Sequence, residues 1–580
     1  MIKIRTTLQT SCLILVTGLF VLIQAQETAM TRLSIGTNEA FQLSENWKTA
    51  QRVLMHPQKE DFLKIEPGTG ILVGTAGAKT QTILGANDLI LQLEFMVSPN
   101  ARAVVYLPGG YPILLTDSWQ NSKIDASTSG SIGNLAPLQK AQKAPGLWQK
   151  LRIQLRRASN SNAAQLEQMH LNGVLVQENA RLSASTNEDN NNLQLEVSAG
   201  KVAFRQIEYQ LLQDTKPISL SQMTYQLYKG WAEKPEQLKA ENLLKKDTTS
   251  VLTQEWGAGN QNYAVVYDGQ INAKEAGLYT FQFAYVGHLT FDIDDKNYLL
   301  ATYNDFSQIP VVQQITLSKG AHRFKFHYHK AWRSPALGIF VATQGVRPYA
   351  LHVPSSLPDP DPIPVIAVTP NGRAELVRSF VQLENEKSKR THALSVGSPH
   401  GLHYTLDLNN GSLLQFWKGQ FADVTEMWFE RGEPQLLKPL GLNIATKGQP
   451  DVALLNDNAA VWPDSVAEIT YKGYRLDPAT GNPIVMYRYK DVELTDALAA
   501  SSTGLTRTFT VGGGTSAAPL YARLAAGSSI NQVEKGLYEI NNQSYYVQLD
   551  PKAKPIVRTS NGQQELLMPI VGQIRYTLTW

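Results

Sequence analysis

The chain has 580 residues, of which 43% are hydrophobic and only 18% charged, with a formal net charge of +3. That is the balance of an ordinary globular protein, and at about 150 residues per domain it has room for three or four domains. A near-neutral chain with no basic block lacks the electrostatic footprint of a nucleic-acid binder. Cys12 is the single cysteine, so a disulfide framework and a Cys-x-x-Cys-His haem attachment are excluded.

Residues 1–25 read as a secretory signal peptide. Lys3 and Arg5 give a positive start, Leu13–Ile23 an apolar run, and Gln24-Ala25 with Gln26 a cleavage zone. The run is short for a bilayer span, although an uncleaved anchor is the rival reading. Cys12 stands at the start of the run rather than its end, which argues against a lipoprotein. Cleavage would leave no thiolate nucleophile, and no other stretch is apolar enough to cross a bilayer.

Residues 30–212 form a first block of short strand-like runs, among them Leu89–Val97, Ala103–Leu107, Leu151–Leu155 and Val202–Ile207. Asn172-Gly173 between apolar stretches is the signal of a type I′ hairpin. No long helical period appears, so the block reads as a sandwich of two antiparallel sheets. Leu91-Gln-Leu-Glu-Phe95, Val104-Val-Tyr-Leu107, Pro145-Gly-Leu-Trp148, Leu171-Asn-Gly-Val-Leu-Val176 and Val202-Ala-Phe-Arg-Gln-Ile207 follow one another in order. In these pieces the block resembles the concanavalin-like, family 16-like sandwich of the 3-keto-disaccharide hydrolases. The resemblance implies a glycoside hydrolase or lyase acting on oxidised (3-keto) sugars.

The chain departs from that family where the chemistry would lie. The family's Tyr-Glu-x-Gln-x-x-Asp strand stands here as Tyr111-Pro112-Ile-Leu114-Leu-Thr-Asp117, and its late Gln-Asp-His segment as Gln194-Leu-Glu-Val-Ser198. Glycoside cleavage needs two groups that exchange protons and stabilise charge, which leaves Glu94 and Asp117 as catalytic candidates. Both also suit structural roles, as a strand-face acid and a turn acid. Tyr106, Tyr111 and Trp119 suit either stacking on sugar rings or the core.

Residues 213–353 carry alternating runs at Tyr263–Gly269, Gly277–Phe283, Leu289–Ile293 and Gly320–Tyr328. In the last, Phe324, Phe326 and Tyr328 share one face, while Arg323, Lys325, His327 and His329 share the other. Tyr225, Tyr228 and Trp231, then Tyr267-Asp-Gly-Gln-Ile271, Gly277-Leu-Tyr-Thr-Phe281 and Gly320-Ala-His322, resemble the strand motifs of the protective-antigen-type β-barrel domain. Family members that bind sugar through calcium carry adjacent aspartates where this chain has Tyr285-Val-Gly-His288. Calcium wants six to eight oxygens, and that segment offers no carboxylate. Asp292, Asp294 and Asp295 read as a hairpin turn rather than a metal site. His327 and His329 have a spacing that suits zinc, but no third ligand is visible, so a solvated strand face is the plainer reading.

Alternating prolines make residues 354–364 an extended spacer. Residues 365–580 then read as one large antiparallel sandwich, with turns at Asn409-Asn-Gly411 and Asp477–Gly481 and a helical hint only at Leu520–Ala526. Ala393–Gly397, Gly401–Tyr404, Asp407, Trp417–Asp423, Trp428 and Arg431-Gly432 resemble a domain of secreted bacterial multidomain proteins. That resemblance supplies no activity. His400 and His403 read as loop-end residues, and Gly512–Ser516 as a flexible turn without a phosphate-binding lysine.

The expectation is an all-β protein: a concanavalin-like jelly-roll sandwich, a protective-antigen-like β-barrel and a large C-terminal antiparallel β-sandwich. It is expected to be exported to a periplasm or the extracellular space and to bind glycans or glycosides. The alternatives are a 3-keto-glycoside hydrolase or lyase sited in residues 30–212, and an assembly partner of exported or cell-surface proteins. No cofactor or metal is expected, and no nucleic acid or membrane span after signal cleavage.

Overall fold

The computed structural model describes residues 30–580, apart from 37–39, 122, 159–162, 184–189, 360–362, 385, 430–433, 466–467 and 515–518. The signal peptide at 1–25, the middle of the spacer, Arg431-Gly432 and Thr515-Ser516 lie outside the described residues. The described chain is nearly all β. None of its helices is long and apolar enough to cross a membrane. It divides into two compact units: residues 210–363, and residues 32–209 together with 364–580.

In 32–209, two sheets form from runs of alternating apolar residues. The larger takes the order 174–181, 165–171, 149–156, 88–97, 201–212, 63–75, 47–55; the smaller runs 79–83, 192–199, 102–107, 111–116. Leu91, Leu93 and Phe95 on one sheet and Val105, Leu107, Ile113 and Leu195 on the other are fully buried. Their period of two marks the inner faces of a sandwich. The outer face of the larger sheet is also buried, its residues Val53, Met55, Ile71, Val73, Met96 and Ala203 clustering with Trp148. Burial on both faces explains why Leu89–Val97 reads as an almost unbroken apolar run. Asn172 and Gly173 have φ of 53° and 80°, and Leu171 pairs with Val174. These are the two positive-φ positions of the expected type I′ hairpin.

Residues 364–580 build three sheets of six, four and eight strands around one core that includes Phe416, Tyr404, Tyr487, Leu505, Tyr576 and Trp580. Leu520–Gly527 is a strand, not the helical segment its composition suggests. Leu520, Ala522 and Leu524 point into the core at period two, and packing overrides the weak helical preference of Leu and Ala. Arg507 lies inside this core at 1% exposure, bidentate to Asp496 at 2.9 and 2.7 Å and 2.6 Å from Asp451. The 32–209 and 364–580 sheets share an interior: Trp119 donates through Nε1 to the Trp580 carbonyl at 2.6 Å. Trp119 also clusters with Leu147, Val533, Leu537 and Tyr546.

The 210–363 unit is a nine-stranded sheet centred on the 17-residue strand Gly277–Ile293. Its core is aromatic, with Tyr267, Phe281, Phe283, Tyr285, Phe324, Phe326 and Tyr328. The segment Tyr285–His288 is continuous strand rather than a loop. Gly287 is required there, because with φ of 120° a Cβ would lie 2.2 Å from the His329 carbonyl oxygen. His327 and His329 are buried, not solvated, and His329 Nδ1 lies 3.4 Å from His288 Nδ1. Burial pushes both imidazoles down to about 4. Asp294 and Asp295 form the expected hairpin turn with φ of 50° and 61°, and Asp294 accepts from His322 at 2.6 Å. The start of the spacer belongs to this unit: the buried Ser356 hydroxyl donates to the Leu337 carbonyl at 2.7 Å.

Arg507→Met would leave Asp496, which is fully buried, without its partner. The expected cost is about 3–5 kcal/mol, seen as a lower urea midpoint for the unit containing 364–580.

Candidate functional site

The candidate site grows from the outer face of the larger sheet in 32–209. Along Asp88–Val97 the inward residues are Leu91, Leu93 and Phe95, so Glu94 projects outward beside Met96. On the neighbouring strand Lys201–Leu212, Arg205 shares a face with Ala203. Arg205 Nε donates to Glu94 Oε2 at 2.7 Å, and its guanidinium lies over the Trp148 ring at 4.0 Å. A planar cation held between an aromatic face and a carboxylate is oriented as well as neutralised. Lys143 lines the same cleft. Burial brings its ammonium from 10.5 down to about 8, with Glu94 opposing and Arg205 reinforcing that shift.

Across the cleft stands a turn from the last block. Asn541, Asn542 and Gln543 have φ of 52°, 53° and 62°, three consecutive left-handed residues. Such backbone costs about 1–3 kcal/mol per residue, less for Asn, and persists only where its surroundings over-determine it. Here they do. The Gln543 N–H donates to Glu539 Oε2 at 2.7 Å, and its side-chain amide donates to the Val53 carbonyl at 3.0 Å. The Gln543 carbonyl accepts from the Trp148 N–H at 3.1 Å, and Arg205 donates to the Asn542 side chain. The cleft is open to solvent and holds about 360 Å³, rimmed by Glu94, Lys143, Lys150, Arg205, Asn172, Asn443 and the 541–544 turn. The set comprises one carboxylate, three cations and several amides, which suits a ligand rich in hydroxyl or carbonyl oxygens.

The other sequence candidates lie elsewhere. Asp117 follows the last strand of the smaller sheet and does not line this cleft. Its carboxylate accepts the N–H groups of Asn100 at 3.2 Å and Trp119 at 3.4 Å, and burial holds its pKa above the usual range. Trp119 is buried, with the Lys418 ammonium 4.0 Å from its ring and bonded to its carbonyl. Tyr111 is buried among inward residues. Tyr106 is half-buried and alternates with the buried Val105 and Leu107, on the outward face of the smaller sheet. The structure therefore gathers Glu94 with Lys143, Trp148 and Arg205. It does not gather Tyr106, Tyr111 and Trp119 on one exposed face.

Sequence reasoning missed Lys143, Arg205 and the 541–544 turn as site residues. Arg205 left a trace, a charge set opposite Val202 and Phe204 in an apolar run. Asn541-Asn542 is a turn signal without an address. The histidine pair at 400 and 403 diverges: His400 is exposed. His403 is buried, its Nδ1 accepting from Ser398 N–H and its Nε2 donating to the Gly419 carbonyl, each at 3.0 Å. Among the described residues no group of three metal-ligating side chains is assembled.

Residues 40–210 match the sequence model of the 3-keto-alpha-glucoside-1,2-lyase-like domain. A search of curated proteins finds no match. Among solved structures, a protein from Parabacteroides distasonis ATCC 8503, provisionally assigned to the glycosyl hydrolases, is 19% identical. It covers 32% of this chain and 100% of its own, with a TM-score of 0.23. The epithelial adhesin 9 A domain of Candida glabrata, solved with Galb1-4GlcNAc, is 10% identical. It covers 25% of this chain and 91% of its own, with a TM-score of 0.18. At these scores the structural likenesses carry no weight for this chain.

The Lys143 shift has a definite sign. With a folded pKa of about 8 against 10.5, the folded chain binds fewer protons than the unfolded chain between those values. Its penalty is full below pH 8 and is relieved as pH rises through that window. Lys143→Met is expected to raise the urea midpoint near pH 7 and to flatten the rise toward about pH 10.

Proposed function

We propose that the chain is an exported carbohydrate-associated protein that holds a glycoside in the Glu94 cleft. The observation that carries this reading is the Glu94–Arg205 pair braced on Trp148 within a space of about 360 Å³. Carboxylate and guanidinium present parallel acceptors and donors to vicinal hydroxyls, and surrounding amides complete such a set. The family match at 40–210 supports an α-glucoside or its 3-keto derivative as ligand. The positive start and apolar run before residue 25 support export. The motif order in 213–353 supports reading that segment as a protective-antigen-like β domain. Asp117, Tyr106, Tyr111 and Trp119 have no part in binding on this reading.

A second reading, elimination, is favoured by one specific observation: Lys143 sits beside Glu94 with its pKa brought down to about 8. A neutral amine there would take the C2 proton of a 3-keto glycoside, which the adjacent ketone acidifies. That C–H electron pair becomes the C1–C2 double bond as the C1–oxygen bond breaks. The departing oxygen recovers the proton, and Arg205 offsets charge on the C3 oxygen.

Calorimetric titration with trehalose, maltose and their 3-keto derivatives tests both readings. Wild type is expected to release binding heat, and Glu94→Gln to weaken binding by about tenfold or more, the loss of a charge-assisted hydrogen bond. Heat unchanged in Glu94→Gln would place the ligand elsewhere. Release of free glucose from a 3-keto disaccharide, abolished in Lys143→Met, would establish elimination; binding without product would leave recognition alone.

A further inference from the structure

A second cavity, of about 550 Å³, lies within 364–580. Its volume is that of an ordinary small-molecule site. Its wall charges balance: Glu384, Glu386 and Asp451 against Lys447, Arg507 and Arg523. The cations are already engaged. Arg507 is held by Asp496 and Asp451, while Arg523 donates to Glu565 at 3.0 Å and Gln449 at 2.9 Å. A wall of that kind selects neither an anion nor a cation. It offers fixed, oriented polar groups to a neutral ligand with many hydroxyls.

Two further features narrow the class. Tyr545, Tyr576 and Phe416 also line the cavity, with Phe416 edge-on to Tyr545 at 5.6 Å. Each ring is at most 8% exposed, so together they give the cavity a narrow apolar floor beneath charged hydrogen-bonding groups, which suits the two-faced chemistry of a pyranose, apolar C–H faces with a hydroxyl rim. Asp451 Oδ2 accepts from the Leu413 N–H at 2.6 Å and from Arg507, whereas Oδ1 accepts no hydrogen bond among the described residues. Its side chain keeps 16% exposure, so one acceptor remains for a donor inside the cavity.

The cavity is also not isolated. Ile444, Asn541 and Ser544 line both it and the Glu94 cleft, so the two ends of the 541–544 turn form part of a wall common to both. We propose that this cavity is a second sugar subsite, so that the chain binds a neutral oligosaccharide running from the Glu94 cleft across the 541–544 turn. This rests on the reading of the Glu94 cleft as a glycoside site. The strained turn then has a reason: it sets the step between two consecutive ring positions.

The test is calorimetric titration of the whole chain with methyl α-glucoside, maltose, maltotriose and maltotetraose. Wild type is expected to bind the longer members at least about tenfold more tightly than methyl α-glucoside. Ala526→Phe fills the second cavity from a half-buried wall position. It should abolish that length dependence and leave the glucoside affinity unchanged, while Glu94→Gln weakens every member. A circular dichroism melt confirms that each variant is folded. Lys447→Met, at an exposed rim position, should reduce only the advantage of the longer chains and serves if Ala526→Phe does not fold. Wild-type affinity independent of length, or length dependence that survives both variants, overturns the second subsite while leaving the first intact. Failure of every member to bind overturns this proposal, and indifference of binding to Glu94→Gln overturns the cleft reading with it.

Discussion

Three consecutive residues with left-handed backbone, Asn541 to Gln543, are one of the ties between the last block and the first sandwich in the larger unit. Asn tolerates that conformation singly, but local preference does not keep three consecutive residues in it, since non-glycine backbone there is strained. The turn persists because both of its sides are bonded. Glu539 and Ser529 hold it from its own block, and Val53 and Trp148 hold it from the first sandwich. Glycine meets it where close approach demands: a Cβ on Gly527 would lie 1.9 Å from Asn541 Oδ1. The outer face of the first sandwich thus becomes interior, and two cavities are left beside the turn.

The electrostatics follow from that enclosure. In water the Glu94–Arg205 pair would contribute little, but here it is more than three-quarters buried and braced on an aromatic ring. Lys143 is drawn into the same space without a carboxylate of its own, and its ammonium weakens accordingly. A two-carboxylate glycosidase needs its acids in one cleft. Glu94 and Asp117 stand on different sheets, and only Glu94 lines the cleft. The arrangement suits recognition, or proton transfer by an amine, better than acid–carboxylate hydrolysis.

Much of the fold was legible in the chain. Period-two alternation marked most strands, Asn172-Gly173 marked its hairpin, and the Phe324, Phe326 and Tyr328 face proved to be core. What was hidden depends on contacts far apart in sequence. Trp119 meets Trp580 across 461 positions, and no local pattern says that residues 32–209 and 364–580 share an interior. Leu520–Gly527 became a strand because neighbouring strands gave its apolar face somewhere to go. The same limit applied to the site. Glu94 could be named from its strand, but Lys143 and the 541–544 turn matter only because folding brings them beside it. His327 and His329 looked solvated because alternation alone does not show when a strand's second face is covered.

Hydrogen–deuterium exchange with and without a saturating 3-keto disaccharide tests the central claim most directly. A ligand seated across the turn must slow exchange at residues 539–544 and along the strands carrying Glu94 and Arg205, while Tyr106 and the 210–363 unit keep their rates. Protection on the outward face of the smaller sheet, or in 210–363, with the 541–544 turn unchanged would contradict the account.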